Sequence, residues 1–419
     1  MEVYKFGGAS VKDAQGVINL AKIISLNREK QLFIVVSAMG KTTNALELLT
    51  EAYFDGQNST HQLFEEVRRY HEEILGGLFE DDTHPVFDEV ANTFIEIEWM
   101  LEDEPHPDYN FNYDQIVSVG ELLSTRIVNA YLNLKGLKSQ WLDARSFIHT
   151  DNSYREGVVN WDKTCTSVKS RLPQLLKNQF IVTQGFIGGT SENFTTTLGR
   201  EGSDYSAAIF ASCLKAESLT IWKDVPGVLN ADPKLFPDTR KYPELPYSEA
   251  LEMAYYGATV IHPKTIKPLQ NQNIPLFVKP FLRPEEGGTV INESANVCTD
   301  FPSVIVKQNQ VLASLSIKDF SFITEDHLSE IFKAFAQLNI KINMMQNSAL
   351  SFSVCFDWNE PQFEALTGIL GEGIKIKYNQ NLQLITVRHH TKETIDKLSA
   401  GRTIMMEQLS RNTAQLVLK

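Results

Sequence analysis

Five consecutive apolar residues, Leu32-Phe33-Ile34-Val35-Val36, stand between Gln31 and Ser37. A strand with one wet face alternates apolar and polar residues, so an unbroken short run belongs to a strand covered on both faces. Only a layered fold supplies that cover, and the neighbouring segments agree. Val3 to Phe6 is strand-like and runs into Gly7-Gly8; Val11 to Ile24 then sets Val17, Leu20, Ala21 and Ile24 on one helical face. Residues 45 to 105 and Gly120 to Leu134 carry helical patterns, while Val182 to Phe186, Ser218 to Trp222 and Pro275 to Val278 read as short strands. This alternation predicts an α/β domain over residues 1–295, three αβα layers around a mostly parallel sheet. Ligands of such sheets collect at the carboxyl ends of the strands, where Gly7-Gly8, Gly40 and Gly185 fall.

The pattern changes across residues 283 to 303, where Arg283-Pro284-Glu285-Glu286-Gly287-Gly288 and Phe301-Pro302-Ser303 have linker chemistry. A strand from Leu312 to Ile317 is followed by a helical face of Leu328, Ile331, Phe332 and Phe335. Two alternating runs come next (Ile340, Ile342, Met344; Leu350, Phe352, Val354, Phe356), then a second helical face of Phe363, Leu366, Ile369 and Leu370, then Ile374 and Ile376. That order is βαββαβ, the ferredoxin-like arrangement. A shorter echo runs from Leu382 to Leu418. Residues 300–419 are therefore read as two α+β units, one at about 312–377 and one at about 382–419 that borrows a strand from 303–311.

Charge and cysteine content exclude several classes. The net charge of −13 is concentrated: residues 51–114 hold 18 acidic residues, two arginines and no lysine, which leaves +3 for the rest. The helical segment 45–114 thus reads as carrying a solvated acidic face. No basic stripe offers itself to nucleic acid, and no apolar run is long enough to cross a bilayer. Met1 leads directly into Glu2-Val3-Tyr4-Lys5-Phe6 without a leader pattern. Cys165, Cys213, Cys298 and Cys355 are scattered with no CxxC pair, so they read as reduced structural thiols, and a cytoplasmic location is expected.

Residues 195 to 207, Thr-Thr-Thr-Leu-Gly-Arg-Glu-Gly-Ser-Asp-Tyr-Ser-Ala, carry the densest chemistry. Glycines, hydroxyls and Arg200 precede a small apolar helical run, which suits anion binding by free amides and a guanidinium fork. On its own such a loop is equally a polar surface turn. Other segments decide the matter. Lys5-Phe6-Gly7-Gly8-Ala9-Ser10-Val11, Val117-Ser118-Val119-Gly120-Glu121-Leu122-Leu123-Ser124, Thr183-Gln184-Gly185-Phe186-Ile187-Gly188, the 195–207 loop, Asp224-Val225-Pro226-Gly227-Val228 and Gly257-Ala258-Thr259-Val260-Ile261-His262-Pro263 occur in this order. Together they resemble the aspartate kinases of the amino acid kinase family, and the two C-terminal units resemble that family's paired ACT domains.

The resemblance implies the amino acid kinase fold, ATP and Mg²⁺ as cofactors, and transfer of phosphoryl to the β-carboxylate of L-aspartate. It implies a homodimer formed through the ACT domains, with an amino-acid effector there. Lys5 and Asp204 would be catalytic, Asp204 orienting Lys5 or a metal-bound water. Lys5, Gly7, Gly8 and Ser10 would hold phosphate. Thr43, Glu121, Arg200 and Ser203 would bind aspartate, Arg200 on the α-carboxylate and Glu121 on the α-ammonium. Nucleotide contacts would come from Lys223, Asp224, Leu229, Lys234, Thr259 and Lys264; no dedicated metal ligands are picked out. Read singly, Lys5 is an edge-strand charge, Glu121 a helix N-terminal charge and Asp204 a helix cap.

The sequence departs from the family at several of these positions. Lys223 stands where Thr is frequent, Leu229 for Tyr, Lys234 for Arg and Glu201 for Gly. Thr259 replaces a phosphate-binding Lys, so Lys264 or Lys223 is expected to supply that cation. The effector loop is expected at Phe320 to Asp326 opposite Asn339 to Ala349; it lacks the common glycine near Glu325-Asp326-His327. Asn343 and Ala349 replace acidic residues of lysine-sensitive relatives, so weak inhibition by lysine is expected. Met39-Gly40-Lys41-Thr42 imitates a P-loop, but Val35 stands where its first glycine is required. With the chain ending at Lys419, no fused homoserine dehydrogenase is expected. The alternatives are another enzyme of the same fold or a catalytically weak ACT-domain amino-acid sensor.

Overall fold

The computed structural model describes residues 1–297, 300–319, 321–371 and 373–419. Its contacts divide it into two compact units. The first holds 1–228, 241–251 and 260–297; the second holds 229–240, 252–259 and 298–419. Segments 229–240 and 252–259, read as part of the first domain, thus keep company with the C-terminal residues.

The strands of the first unit are β1 Glu2–Phe6, β2 Leu32–Val36, β3 Ser139–Leu142, β4 Phe180–Gln184, β5 Ile187–Gly189, β6 Thr195–Thr197, β7 Ser218–Lys223, β8 Glu244–Pro246, β9 Leu276–Pro280 and β10 Thr289–Asn292. The helices are α1 Ala14–Leu26, α2 Thr42–Phe54, α3 Thr60–Leu78, α4 Val86–Glu102, α5 Tyr109–Val117, α6 Val119–Leu134, α7 Trp161–Leu175, α8 Gly202–Leu214, α9 Tyr247–Tyr256 (which runs on into 252–259) and α10 Pro263–Gln270. Eight strands form one sheet in the order β3-β4-β2-β1-β7-β9-β10-β8. Pairing is parallel from β3 to β9 and turns antiparallel at β9–β10. The run at 32–36 is β2, next to the centre and buried at every position. Leu32, Ile34 and Val36 join the core beneath helices α1 to α6. Phe33 turns the other way and meets Phe210 of α8, ring centroids 4.6 Å apart. The expected helix from Val11 starts later because Asp13 caps it, accepting from the Gly16 amide at 2.8 Å.

One expectation about cysteine fails. Cys165 of α7 and Cys213 of α8 are disulfide-bonded, S–S 2.06 Å. These helices pack side by side, so residues 48 apart in sequence meet without any spacing signal. Cys355 is a buried thiol, pushed up to about 12 by burial and inert for that reason. Cys298 lies outside the described residues.

The second unit is built on two 15-residue strands, β11 Ser303–Ile317 and β14 Ile374–Arg388. They pair antiparallel from Ser303↔Arg388 to Ile317↔Ile374, with irregularities around Gln310. Between them lie α11 Glu325–Gln337, β12 Ile342–Asn347, β13 Phe352–Asp357 and α12 Glu360–Leu370; after them come α13 Lys392–Ser399, β15 Ile404–Leu409 and β16 Thr413–Leu418. The sheet order is β12-β13-β11-β14-β16-β15. Each long strand therefore serves two ferredoxin-like halves. The echo that is one strand short in sequence is completed by the first part of β11, where 303–307 pair with 384–388. Its core of Val304, Ile385, Val387 and Leu416 is also covered by Ala231 and Phe236.

Candidate functional site

Parallel pairing puts the ends of β1 and β7 next to each other, with Lys5 in register with Ile221 and Lys223 two residues further on. Asp204, in the first turn of α8, receives both lysines. Lys5 Nζ lies 2.7 Å from its Oδ1 and Lys223 Nζ 3.1 Å from its Oδ2. Each carboxylate oxygen thus has its own ammonium. Asp204 is wholly buried. Burial alone would raise its pKa, but Lys5 and then Lys223 outweigh it and hold the carboxyl below the usual range. Lys223 is pulled down by burial and raised more by Asp204 and Glu201, so it stays charged. It also donates to the Val260 carbonyl.

Tight backbone packing brings these groups together. A Cβ on Gly8 would lie 2.7 Å from the Ala38 carbonyl oxygen, and one on Gly185 would lie 2.5 Å from Ser203 Cβ. Only glycine lets the loop after β1 sit on the loop after β2, and lets α8 sit on the end of β4. Lys5 Nζ is 3.4 Å from the place a Gly7 Cβ would take, so Gly7 keeps the ammonium uncovered on that side. Glu201 caps α8 at φ +56°, the left-handed region that glycine enters freely and glutamate enters at about 1 kcal/mol. Its carboxylate is 4.0 Å from Lys223 Nζ.

Beyond the loop after β2 lies a second buried carboxylate. Glu121, in the first turn of α6, accepts from the Ala38 amide at 3.2 Å through Oε1. Its Oε2 has no hydrogen-bond partner among the described residues. Burial pushes Glu121 up to about 8, against the pull of the Ala38 amide, its own amide and the Lys5 charge. Such a carboxyl holds its proton more tightly than an exposed one, and a cation arriving beside it favours release of that proton to solvent.

The family model described as "Amino acid kinase family" matches residues 1–280. The chain is 30% identical over 355 residues to lysine-sensitive aspartokinase 3 of Escherichia coli (strain K12), covering 85% of this chain and 78% of that protein. It is 30% identical over 396 residues to the aspartokinase of Chlamydia pneumoniae, covering 92% and 84%. This chain belongs to the aspartokinases of the amino acid kinase family. The crystal structure of E. coli aspartokinase III in complex with aspartate and ADP (R-state) matches it with a TM-score of 0.85 at 25% identity, over 100% of this chain and 96% of that one. The activity is that of an aspartate kinase, a transferase of amino-acid biosynthesis.

Not every residue expected at an aspartokinase site joins the Lys5 cluster. Ser203 and Asp204 share the first turn of α8, and Arg200 is exposed on the turn before it. Thr43 is half-buried in the first turn of α2, and Asp224 is exposed just past β7. Ser10 is buried, and its hydroxyl faces the Trp222 carbonyl at 3.4 Å, which ties the loop to β7. Leu229, Lys234 and Thr259 belong to the segments grouped with the second unit. Of the two lysines expected to replace the missing phosphate cation, Lys223 is in the cluster. Lys264 is not: it is exposed at the start of α10 and lines a separate cavity.

Sequence reading missed Asp114. It was counted with the solvated acids, yet it is fully buried and accepts from the Arg155 amide (2.9 Å), the Thr197 amide (2.9 Å) and the Thr197 hydroxyl (2.7 Å). Burial still pushes it up to about 6. Asp114 pins β6, the strand that leads to Arg200. One acid among 18 in a polar stretch gives no sign of this.

In the second unit, Glu325-Asp326-His327 begin α11, with Thr324 and His327 forming a capping box. Ile323 donates to the Ala349 carbonyl at 3.1 Å, bringing the two expected effector segments together. Asn343 accepts from Lys307 at 2.7 Å and donates to Gln310 at 2.9 Å. Its amide is thus committed inside the fold. Phe320 lies outside the described residues.

Proposed function

We propose that this aspartokinase transfers the γ-phosphoryl group of ATP to the β-carboxylate of L-aspartate, the entry step toward lysine, threonine and methionine. A carboxylate oxygen forms the new P–O bond, the bond to the bridging β,γ oxygen breaks, and ADP leaves with that electron pair. The products are 4-phospho-L-aspartate and ADP. The observation that carries the reading is the pair of buried lysines on one buried carboxylate at the strand ends. Bringing two anions to 4 Å costs about 4 kcal/mol at an effective dielectric of 20, and phosphoryl transfer is mostly positioning and charge stabilisation. Two ammoniums held by one carboxylate leave a net positive charge where that repulsion arises, already oriented. Lys223 thereby takes over the cation lost at Thr259.

The remaining roles follow from chemistry. Arg200, exposed and planar, suits the α-carboxylate, and Glu121 suits the α-ammonium. A neutral Glu121 gives up its proton as the ammonium arrives. Thr43 and Ser203 add hydroxyl donors at helix N-termini. Gly7, Gly8 and Ser10 offer phosphate a loop without bulk. Mg²⁺ supplies charge neutralisation on the phosphates when bound. Asp204 faces two ammoniums, so in this reading the ion is carried chiefly by the nucleotide's own phosphates. A hydroxamate assay with ATP, Mg²⁺ and aspartate tests the reading. Product is expected from the parent chain and loss of product from Lys5→Ala; full activity in Lys5→Ala refutes the assignment.

The sensor alternative rests on decay of the phosphate site, and Lys223 removes its main support. For the second unit we propose a homodimer and weak lysine inhibition. The edge strands β12 and β15 expose Met345, Ile404 and Leu409, and Asn343 offers no charge to a dibasic ligand. Strong inhibition by lysine alone contradicts this. Among the described residues no helix is long and apolar enough to cross a membrane. We propose a cytoplasmic location; thiol titration of the native chain is expected to leave Cys165 and Cys213 unreacted, as their disulfide requires.

A further inference from the structure

Between α7, α8 and α10 lies a cavity of about 530 Å³, within the range that holds small organic ligands. Lys169, Lys215, Lys264 and Lys267 all line it, together with Trp161 and Tyr205. No carboxylate belongs to its lining. All four lysines are exposed to solvent, and four positive side chains around one recess with no acid in its lining give it a positive potential that draws an anion. The two aromatic rings, centroids 6.5 Å apart and inclined at 64°, supply an apolar corner in which either ring offers a face to a ligand. Cys165 also lines the cavity, and its bond to Cys213 holds α7 against α8 at this corner.

The cavity is not the Lys5 site. Tyr205 and Ser212 line it from α8, and at about 100° per residue they stand roughly a quarter-turn around the helix from Asp204, while Lys215 lines it from the far, C-terminal end. Neither Lys5, Asp204 nor Lys223 is part of its lining.

We propose that this cavity is a second anion site that binds a nucleoside phosphate: phosphate groups against the lysines, the base against Trp161 and Tyr205. The chemistry requires both parts. Lysines alone would serve any polyanion, and the aromatic corner adds stacking that only a flat ring can use. The site stands independently of the aspartate kinase reading: of its residues only Lys264 is among the expected nucleotide contacts, and it lines this cavity and not the Lys5 cluster.

The test uses the full chain and two probes, ADP and inorganic pyrophosphate. Calorimetry with ADP is expected to count two sites per chain, the second weakening as salt rises. Lys215→Glu/Lys267→Glu is expected to weaken the second site at least tenfold and leave kcat/KM for aspartate within twofold. Trp161→Leu is expected to weaken ADP there while leaving pyrophosphate unchanged. A single ADP site in the parent chain overturns the proposal. So does equal binding of ADP by the charge-reversed variant. Pyrophosphate bound as tightly as ADP overturns the assignment to a nucleoside.

Discussion

Asp204 and Glu121 are both buried carboxylates at the ends of parallel strands, and their surroundings drive them apart. Asp204 has two lysines within 3.1 Å and is held ionised below the ordinary range. Glu121 accepts from the Ala38 amide, has no ammonium in contact, and is raised by burial to about 8 although backbone amides and the more distant Lys5 charge pull the other way. The difference separates two tasks. A carboxylate already satisfied by cations organises the site; a carboxylate left short of one is a place for a ligand's cation. Pairs of acids pushed to opposite protonation states are a recurrent mark of functional sites.

The largest effect expected is on the satisfied side. Lys5→Ala removes one of two cations from the proposed site of transfer, and kcat should fall roughly 10²–10³-fold, as for loss of one oriented charge stabiliser. Asp204→Asn should behave similarly, because both lysines lose their anchor. Retained activity in either variant breaks the contrast with Glu121.

His71 extends the comparison into the helical layer. It is fully buried and, like Glu121, kept neutral by burial, which lowers it from 6.5 to about 4. Its folded pKa is depressed, so the unfolded chain binds the proton more readily. Stability is full above about 6.5 and is lost as pH falls toward 4, by roughly 3 kcal/mol in all. Denaturant melts at pH 7 and pH 4.5 check this, with His71→Phe expected to flatten the loss. Glu121 has the opposite sign: raised in the folded state, it loses stability as pH rises through about 8.

Glu121→Gln should raise the KM for aspartate about 10- to 100-fold with little change in fold, the value of one charge-assisted contact. Calorimetry in buffers of different ionisation enthalpy should detect up to one proton released on aspartate binding at pH 7. Glu121→Gln should abolish that release. The smallest effect concerns Glu201. Glu201→Gly relieves the left-handed strain and should stabilise the fold by about 0.5–1 kcal/mol in thermal melts.

The β2 run, the Gly-terminated strands and the βαββαβ order were legible in sequence because each is a local pattern with one structural solution. Lys5 and Asp204 were legible only through resemblance, since a strand-end lysine and a helix-cap aspartate have ordinary explanations. Three features were not readable. Asp114 hides among solvated acids. Cys165 and Cys213 meet only because α7 and α8 lie side by side. Segment 229–240 gains its partners from a sheet formed some 70 residues later, when Val304 donates to the Asn230 carbonyl and Asn230 to the Pro302 carbonyl. Long-range contacts of this kind leave no periodicity behind.

The central claim is that Lys223, with Lys5, supplies the charge at the transfer site that Thr259 cannot. Steady-state kinetics of Lys223→Ala in the hydroxamate assay test it most directly. The account predicts a fall in kcat of at least tenfold with the KM for aspartate within about threefold of the parent. An unchanged kcat would contradict it.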